Sequence, residues 1–418
     1  MQNNKMTNLP QDWEVKKLGD IVKLKNGFAF KSNLFCNDGI PIIRIKNIQN
    51  ENIILDDLVF CNPNDYKNNL DNYLIFKNDI LIAMSGATTG KIGLYNLNNK
   101  AYLNQRIGLL RIDNNILRKY IFWFLYCNSE KNLTNAFGAA QPNLSTEQIH
   151  NIQIPLPPLQ EQKRIVGILD ESFANIDESI KNLEQDLLNL DELMQSALQK
   201  TFNPLKDTTK ENYQLPQDWE WKSLDDIANI KGGKRLPKDE KLLDYKTPFP
   251  YIRVSDFQDD GTIDLHNIKF INEKTYNILS NYQIDNTNLY ISIAGTIGKS
   301  GIIPKSLNGA ILTENAIKLE YKNYNIYNKF MYYFTTSSCF KNQAIESTRI
   351  VAQPKLAISR LKTIQIPLPP LQEQEQIASY LDKLSLNIKD LKQNYQTQIK
   401  NLQELKKSLL DRAFKGRL

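Results

Sequence analysis

The chain carries one eleven-residue stretch twice without a change, and this duplication constrains its fold more than any other feature. IQIPLPPLQEQ occupies residues 152–162 and again residues 364–374. The stretch LPQDWEVKKLGDI at residues 9–21 likewise returns as LPQDWEWKSLDDI at residues 215–227. Ordered matches that recur at one large spacing indicate two tandem copies of one structural unit.

Weaker matches between these landmarks keep the same order in both copies. They are IPIIRIKNIQ (40–49) with FPYIRVSDFQ (249–258), ILIAMSGATTGKIG (80–93) with LYISIAGTIGKSG (289–301), and AAQPNL (139–144) with VAQPKL (351–356). Both copies also end on an aromatic residue, Phe202 and Phe414.

The duplication predicts five segments along the chain. They are a globular part at 1–151, a proline joint and central long helix at 152–202, a polar linker at 203–214, a second globular part at 215–363, and a second proline joint with a C-terminal long helix at 364–418. Within each globular part, short β-branched and aromatic runs alternate with Gly- and Asn-rich turns. This pattern predicts a compact α/β or α+β domain with several short strands.

The end of each copy is a heptad pattern of apolar residues. The predicted seam positions are Leu169, Phe173, Ile176, Ile180, Leu183, Leu187 and Leu190 in the first copy, and Leu381, Leu384, Ile388, Leu391, Tyr395, Leu402, Leu405 and Leu409 in the second. Such a seam predicts a long helix that needs a partner to cover it. The prolines of each joint hold the chain extended before the helix, so the joint is predicted to be a rigid corner.

The charges of the two helical segments favour pairing with each other. Residues 159–202 carry 4 Lys and Arg against 9 Asp and Glu, whereas residues 371–418 carry 9 against 6. Tandem duplicates are commonly related by a pseudo-twofold axis, so an antiparallel coiled coil is expected. The globular parts are each mildly basic, with 17 against 13 charges in residues 1–150 and 22 against 18 in residues 203–363. Mild basicity permits nucleic-acid binding without requiring it.

Several classes of protein are disfavoured by composition. No run of eighteen apolar residues and no apolar leader occurs, so a soluble cytoplasmic protein is expected. The four cysteines and two histidines follow no metal-ligand spacing, so no metal site is expected.

Two Gly-rich loops resemble a phosphate-binding loop in composition but do not have its residue spacing. SGATTGK at Ser85–Lys91 has three residues between its first Gly and the Gly-Lys pair, and AGTIGKS at Ala294–Ser300 has two, whereas a P-loop requires four. Each loop is therefore either a plain turn between two strands or a turn whose lysine, Lys91 or Lys299, contacts DNA phosphate.

The combination of these motifs closely resembles the specificity subunit of type I restriction-modification systems. The resemblance rests on LPxxWExxxLxDI, the Gly-rich turn, QPxL and IxIPLPPLQEQ before a long helix, and it covers essentially the whole chain. It implies two target recognition domains that each recognise one half of a bipartite double-stranded DNA site. It also implies that the coiled coil sets the spacer and docks two adenine methyltransferase subunits, to which nuclease-translocase subunits are sometimes added.

The resemblance places catalysis in the partners. No cofactor is expected in this chain, and S-adenosylmethionine, ATP and magnesium are expected in the partner subunits. The competing interpretations are a coiled-coil scaffold whose globular domains bind proteins and a nuclease with an unfamiliar site.

Candidate DNA contacts follow from comparing the two copies. Positions kept in both copies suit shared tasks such as backbone contact, whereas divergent polar loops suit base recognition, for which Arg and Lys are the usual guanine partners. The matched candidates are Arg44, Arg253, Lys91 and Lys299, and the divergent ones are Lys31, Lys67, Arg106, Lys234, Arg235 and Arg349.

Overall fold

The structure of the protein is a computed structural model that describes residues 9–49, 51–86, 88–129, 143–202, 215–323, 325–345 and 356–418. The chain divides into two compact units. Unit 1 comprises Met1–Leu183 and Thr397–Leu418, and unit 2 comprises Glu184–Gln396. Each unit therefore contains one globular domain, part of the helix that follows it, and part of the other long helix. No helix among the described residues is long and apolar enough to span a membrane.

Among the described residues, the first copy forms twelve short strands and four α-helices. In chain order they are β1 (Glu14–Lys17), α1 (Leu18–Ile21), β2 (Leu24–Asn26), β3 (Ile40–Ile43), β4 (Ile48–Gln49), β5 (Asn52–Ile53), β6 (Val59–Cys61), β7 (Leu74–Ile75), β8 (Ile80–Ala83), β9 (Ile92–Leu94), β10 (Ala101–Leu103), β11 (Ile107–Leu110), α2 (Asn115–Cys127), α3 (Thr146–His150), β12 (Gln153–Leu156) and α4 (Leu159–Phe202). Short 3₁₀ helices lie at Ser32–Leu34, Ile45–Asn47, Pro63–Asp65 and Asp71–Tyr73.

The second copy repeats this order with small changes. Its elements are β13 (Glu220–Ser223), α5 (Leu224–Ile227), β14 (Ala228–Gly232), β15 (Pro250–Ile252), β16 (Lys269–Phe270), α6 (Glu273–Leu279), β17 (Gln283–Ile284), β18 (Leu289–Ser292), β19 (Ser300–Gly301), β20 (Ala310–Leu312), β21 (Ala316–Tyr321), α7 (Asn328–Thr336), α8 (Ser338–Ile345), α9 (Ile358–Thr363), β22 (Gln365–Leu368) and α10 (Leu371–Phe414). Its 3₁₀ helices lie at Val254–Asp256, Ser280–Tyr282 and Lys305–Leu307.

Both domains have the same pair of four-stranded sheets. The strand orders are β2-β11-β8-β9 and β6-β3-β10-β7 in unit 1, and β14-β21-β18-β19 and β16-β15-β20-β17 in unit 2. The pairs β3–β10 and β15–β20 are parallel, while the other pairs in these sheets are antiparallel. The predicted fold class, two mixed α/β domains each followed by a long helix, is therefore confirmed.

The helix after each domain's central sheet packs one apolar face into the core. Helix α2 starts after Asn114, whose side chain accepts a hydrogen bond from the Leu117 N–H and so caps the helix. Its Tyr120, Ile121 and Leu125 are fully buried in the same cluster as strands β8 and β11. This burial fixes α2 against the domain, and the matching α7 is buried in the same way in unit 2.

The proline joint contributes a strand to each domain, β12 and β22, directly before the long helix. Val15 of β1 pairs with Pro155 of β12, and Trp221 of β13 pairs with Pro367 of β22, both in antiparallel two-stranded ladders. Proline fits because an edge strand leaves alternate N–H positions without a ladder partner. The Tyr120 hydroxyl also donates a hydrogen bond to the Pro155 carbonyl, at 2.5 Å.

In unit 1, the first part of α4 and the last part of α10 run antiparallel. Lys406 Nζ lies 2.9 Å from Asp177 Oδ1, and further toward the start of α4 Arg164 donates to the Leu418 carbonyl at 3.1 Å. Phe414, at the end of α10, is buried in this unit's core. Its ring makes edge contacts with Tyr120 and Phe124, with centroids 5.3 Å apart in each case.

The chain's first and last described segments meet in the same unit. Gly416 has a φ of +66°, and a Cβ built on it would lie 2.5 Å from Pro10 Cδ. Glycine is therefore required here both by the backbone conformation and by the close approach of the N-terminal segment.

In unit 2, the last part of α4 and the first part of α10 also run antiparallel. Lys392 of α10 forms an ion pair with Asp191 of α4. Nearer the start of α10, Leu381 shares a core cluster with Phe202, the last residue of α4. Phe202 is fully buried and contacts Phe330, with ring centroids 5.1 Å apart. Each long helix thus begins beside one domain and ends in the core of the other.

The predicted seam positions differ in burial. Leu169, Phe173, Ile176, Leu381 and Ile388 are buried, whereas Ile180, Leu183, Leu187, Leu190, Leu384, Tyr395, Leu402 and Leu409 are partly buried. Leu391 and Leu405 are 40 % and 47 % exposed, so they lie at the flank of the seam. Beside them the structure buries lysine stems instead. Lys406 has only 15 % of its side chain exposed, with Nζ 4.7 Å from the Phe173 ring centroid.

Candidate nucleic-acid interface

Three loops converge at one edge of the domain in unit 1. They are the loop after β2 (residues 27–31), the Gly-rich loop between β8 and β9 (residues 84–91), and the β10–β11 turn (residues 104–106). The turn is central, because Phe28 N–H donates to the Leu103 carbonyl at 2.8 Å and Met84 N–H donates to the Arg106 carbonyl at 3.0 Å. These backbone bonds fix the loops side by side, and we refer to them as the three-loop edge.

Unit 2 builds the same edge from residues 233–235, 293–299 and 313–315. Lys234 N–H donates to the Leu312 carbonyl at 2.9 Å, and Ile293 N–H donates to the Asn315 carbonyl at 2.8 Å. The two central turns therefore make equivalent backbone contacts in the two copies. What differs between them is the set of side chains that they present.

Matched glycines allow the outer loop to lie directly on the turn. A Cβ on Gly27 would lie 2.0 Å from the Asn104 carbonyl oxygen, and a Cβ on Gly233 would lie 2.1 Å from the Thr313 carbonyl oxygen. Both values are far below van der Waals contact, so a side chain at either position would separate loop from turn. This explains why both copies keep KNG and KGG at the end of the strand.

Near the three-loop edge of unit 1, three loops that carry basic candidate DNA contacts lie close together. Arg106 is exposed in the central turn, and Lys31 is exposed in the outer loop. The loop that carries Lys67 joins them through an aromatic cluster, since the Phe30 ring packs against the Tyr66 ring with centroids 5.5 Å apart. Lys67 itself is exposed. The pKa of Tyr66 is raised, chiefly by burial, which is consistent with this packing.

The corresponding edge of unit 2 presents a preorganised arginine. The Arg235 side chain is 80 % exposed, yet its Nε donates to Glu314 Oε1 at 2.8 Å. The backbone beside it is held by the Tyr251 hydroxyl, which donates to the Lys234 carbonyl at 2.9 Å. Lys234 Nζ lies 5.9 Å from the Tyr282 ring centroid. An exposed guanidinium whose direction is fixed by a carboxylate is well suited to recognising a planar acceptor pair.

The Glu314 carboxylate is ionised at neutral pH. Burial alone raises its pKa, but the hydrogen bond from Arg235, together with those from its own backbone and from Thr313, outweighs burial and leaves the pKa below its ordinary value. The hydrogen bond to Glu314 likewise raises the pKa of Arg235. Both partners therefore carry full charge under physiological conditions.

The two Gly-rich loops are turns between antiparallel strands. In unit 1 the Ala83 N–H donates to the Lys91 carbonyl at 2.9 Å, which closes the turn, and Lys91 is partly buried. In unit 2 the Ser292 N–H donates to the Lys299 carbonyl at 2.8 Å. Lys299 Nζ lies 2.7 Å from Asp259 Oδ1, so its charge is already paired within the domain. A role of these lysines at DNA phosphate stays a prediction.

Arg44 and Arg253 each hold a 3₁₀ helix to a neighbouring loop. Arg44 Nη2 donates to the Asp57 carbonyl at 2.6 Å, and Arg253 Nη2 donates to the Asn267 carbonyl at 2.9 Å. Arg253 also pairs with the buried Asp256 carboxylate at 2.6 Å. These bonds supply a scaffold role inside each domain. Arg349 lies outside the described residues.

Sequence reasoning missed the carboxylate that orients Arg235. Glu314 was not a candidate because only basic residues were considered as base contacts. The signal was available, since Glu314 aligns with Gln105 of the first copy and is one of the divergent turn positions. Among the described residues, no group of three or more His, Cys, Asp or Glu is placed to hold a metal ion.

Comparison with known families assigns the whole duplicated architecture. The model of the type I restriction modification DNA specificity domain matches residues 10–189 and 216–401, one match for each copy. A type I restriction enzyme EcoBI specificity subunit from Escherichia coli is 26 % identical over 436 residues, which cover 99 % of this chain and 88 % of the relative. The MjaVIII specificity subunit of Methanocaldococcus jannaschii is 25 % identical and covers 98 % of this chain and 94 % of the relative.

Solved structures share the fold across nearly the full length. A chain solved in work on complex assembly and conformational transition of the type I R-M system superposes with a TM-score of 0.75 at 20 % identity, covering 98 % of this chain and 99 % of that chain. The HsdS subunit from Thermoanaerobacter tengcongensis gives a TM-score of 0.61 at 19 % identity and covers 98 % of both chains. With both copies matched by the family model and the duplicated fold in place, the chain belongs to the type I restriction-modification DNA specificity family.

Proposed function

We propose that the chain recognises a bipartite double-stranded DNA site, with each domain contacting one half of the site through its three-loop edge. The observation that carries this proposal is that the edge has the same backbone contacts in both copies but different side chains. Phe28 and Ala29 stand where the second copy has Lys234 and Arg235. Recognition of two unequal half-sites requires the same backbone arrangement in both domains and different side chains to contact the bases.

The charges at the two edges favour major-groove contacts to guanine. Arg and Lys recognise guanine by donating to its O6 and N7, and a carboxylate recognises cytosine by accepting from its N4 amino group. Unit 1 presents Arg106 in the central turn, whereas unit 2 presents the pair Arg235 and Glu314. We therefore expect the first half-site to contain a guanine that Arg106 contacts. We expect the second half-site to contain a guanine that Arg235 contacts, with or without an adjacent cytosine.

We further propose that the long helices set the spacer and dock two adenine methyltransferase subunits. Apolar residues on these helices are more than a third exposed in unit 2, namely Leu188, Leu193, Tyr380, Leu386 and Leu391. Burial of these side chains would favour binding of a partner on the helices. The partners would supply S-adenosylmethionine, and nuclease-translocase partners would supply ATP and magnesium chemistry, so this chain is not itself an enzyme. The complex would act in the cytoplasm, where the DNA lies.

The decisive test is a genome-wide map of adenine methylation with and without the chain. Deletion should abolish methylation at one bipartite motif whose half-sites are centred roughly 10 base pairs, or one helical turn, apart. Insertion of one heptad into both helices should lengthen the accepted spacer and leave both half-sites unchanged. An unchanged methylome in a strain with an active methyltransferase partner would refute the proposal and favour a protein-binding scaffold. DNA cleavage by the purified chain with a divalent metal would instead establish a nuclease.

A further inference from the structure

A carboxylate on the first long helix receives two hydrogen bonds from the domain that precedes the helix. Asp170 is the twelfth residue of α4. Its Oδ2 lies 2.5 Å from Lys119 Nζ, and its Oδ1 accepts from Trp123 Nε1 at 3.0 Å. Lys119 and Trp123 are one turn apart on α2, so they face the same side and hold both oxygens of one carboxylate. The Trp123 ring also packs edge-on against Phe173, with centroids 4.8 Å apart.

The second copy makes the same contact with a different aromatic donor. Asp382 is the twelfth residue of α10, and its Oδ2 lies 2.5 Å from Lys329 Nζ. Its Oδ1 accepts from the Tyr333 hydroxyl at 2.7 Å. Lys329 and Tyr333 are again one turn apart, on α7. The indole N–H of one copy is thus replaced by a phenol O–H in the other, while the carboxylate, the lysine and the geometry are retained.

The position of this contact along the helix allows it to affect the orientation of the domain relative to the helix. Other polar contacts at the joint lie near the helix start. Among them, Gln162 Nε2 donates to the Pro157 carbonyl and Gln374 Nε2 donates to the Pro369 carbonyl, both at 2.8 Å. In each copy the aspartate lies eight residues beyond that glutamine, about 12 Å along the helix. Polar contacts at two separated points remove a rotation that a single point would allow.

The contact is poorly placed to contribute much to folding. All four charged side chains are between 32 % and 49 % exposed, and ion pairs at such exposure are largely screened by solvent. Directional bonds at a partly exposed position contribute more to geometry than to free energy. Their recurrence in both copies points to a task that both domains share.

We propose that Asp170 and Asp382 are positioning residues that fix the angle between each recognition domain and its helix, and thereby restrict the spacer length that the protein accepts. This inference rests on the proposed recognition of a bipartite site. It assigns spacer discrimination partly to these two contacts and not only to helix length. Half-site identity is left to the three-loop edges.

The test uses the full-length chain with its methyltransferase partner, after selection from random duplexes has identified the site. Binding is measured on duplexes that keep both half-sites and change only the spacer, from two base pairs shorter to two longer. The variants are Asp170→Asn, Asp382→Asn and their combination, which remove the charge at nearly constant volume. Glu171→Gln and Lys383→Gln alter exposed charges one residue away on the same helices and serve as matched controls.

The double variant removes both solvent-screened contacts and is expected to lower the ratio of affinities for the natural and the altered spacers roughly three- to tenfold. Base preference within each half-site should stay unchanged, Asp170→Glu with Asp382→Glu should restore most of the ratio, and the control variants should not move it. Because the ratio is internal to each preparation, partial unfolding cancels. An unchanged ratio, or an equal loss of affinity at every spacer, would overturn the inference. If the unsubstituted protein showed no dependence on spacer at all, the proposed function would fall together with it.

Discussion

Replacing Arg235 by Ala should remove recognition at one base pair of the second half-site and leave the first half-site intact. The ion pair with Glu314 is formed by a side chain that is 80 % exposed and therefore screened by solvent, so its loss should leave the stability of the fold nearly unchanged. A bidentate contact to guanine is worth about 1–3 kcal/mol of discrimination. Affinity for the cognate duplex should therefore fall roughly 5- to 150-fold, while duplexes already altered at that base pair should lose little.

The assay is fluorescence anisotropy of labelled duplexes that each carry one base-pair change, with the full-length chain and its partner. Lys231→Ala is the matched control, because Lys231 pairs with Glu320 at 2.6 Å on the neighbouring strands and lies outside the three-loop edge. Glu314→Gln should give a smaller effect at the same base pair, since the guanidinium is retained but no longer oriented by a charge. A similar loss of affinity on every duplex, with a shallower salt dependence, would show that Arg235 contacts phosphate and would refute the assignment.

The pH dependence of this pair has a defined sign. The pKa of Glu314 is depressed below its ordinary value of 4.5, so the stabilisation from the pair is fully present above pH 4.5 and is lost as the pH falls through the folded-state pKa. Discrimination by the unsubstituted protein should therefore show no pH dependence arising from Glu314 between pH 6 and 8. A titration of discrimination within that range would contradict the ionisation state assigned to Glu314.

Four further substitutions test the packing of the two units and of the three-loop edge. Phe414→Ala should destabilise unit 1 by about 3–5 kcal/mol, seen as faster hydrogen exchange in α2 but not in α7, and the reciprocal Phe202→Ala should affect α7 only. Lys406→Met should reduce the salt dependence of unit 1 protection, because it removes the ion pairs to Glu51 and Asp177 while keeping the apolar stem over Phe173; an unchanged salt dependence would contradict their contribution. Gly233→Ala should weaken recognition of the second half-site and leave recognition of the first unchanged. Unchanged recognition of the second half-site by this variant would refute the close approach of Gly233 to the central turn.

The sequence was informative where the pattern is local or repeated. The duplicated joint located the start of both long helices, and α4 and α10 each span 44 residues. It was less informative about which helix face is covered. Leu405 fits the heptads yet is exposed, because the adjacent Lys406 lays its stem over Phe173 and its charge between two carboxylates. A hydrophobic pattern cannot predict that the stem of a lysine is more buried than a neighbouring leucine.

Long-range pairing also determined what could be predicted of the site. The basic loops were visible as divergent segments, but their meeting at one edge depends on strand pairing between residues far apart in sequence, such as Phe28 with Asn104. A scaffold role for Arg253 was one of the sequence predictions, but its partner, the buried carboxylate of Asp256, was identified only in the structure. Residues that match between the two copies therefore identified the shared scaffold. The partners of the individual side chains could be identified only from the structure.

The contact of Gly416 with Pro10 makes the order in which the two copies are encoded arbitrary. The first strand and the end of the last helix belong to one unit, and opening the chain between Phe202 and Leu215 cuts no helix or strand of the described residues. A circular permutant that starts at Leu215, passes through a short Gly-Ser linker after Leu418 and ends at Phe202 should therefore fold with a similar melting temperature and direct methylation to the same site. Loss of the fold in this permutant would show that the covalent connection between Phe202 and Leu215 is needed. If it folds, a gene encoding this protein could exchange its halves without changing the DNA sequence that is recognised.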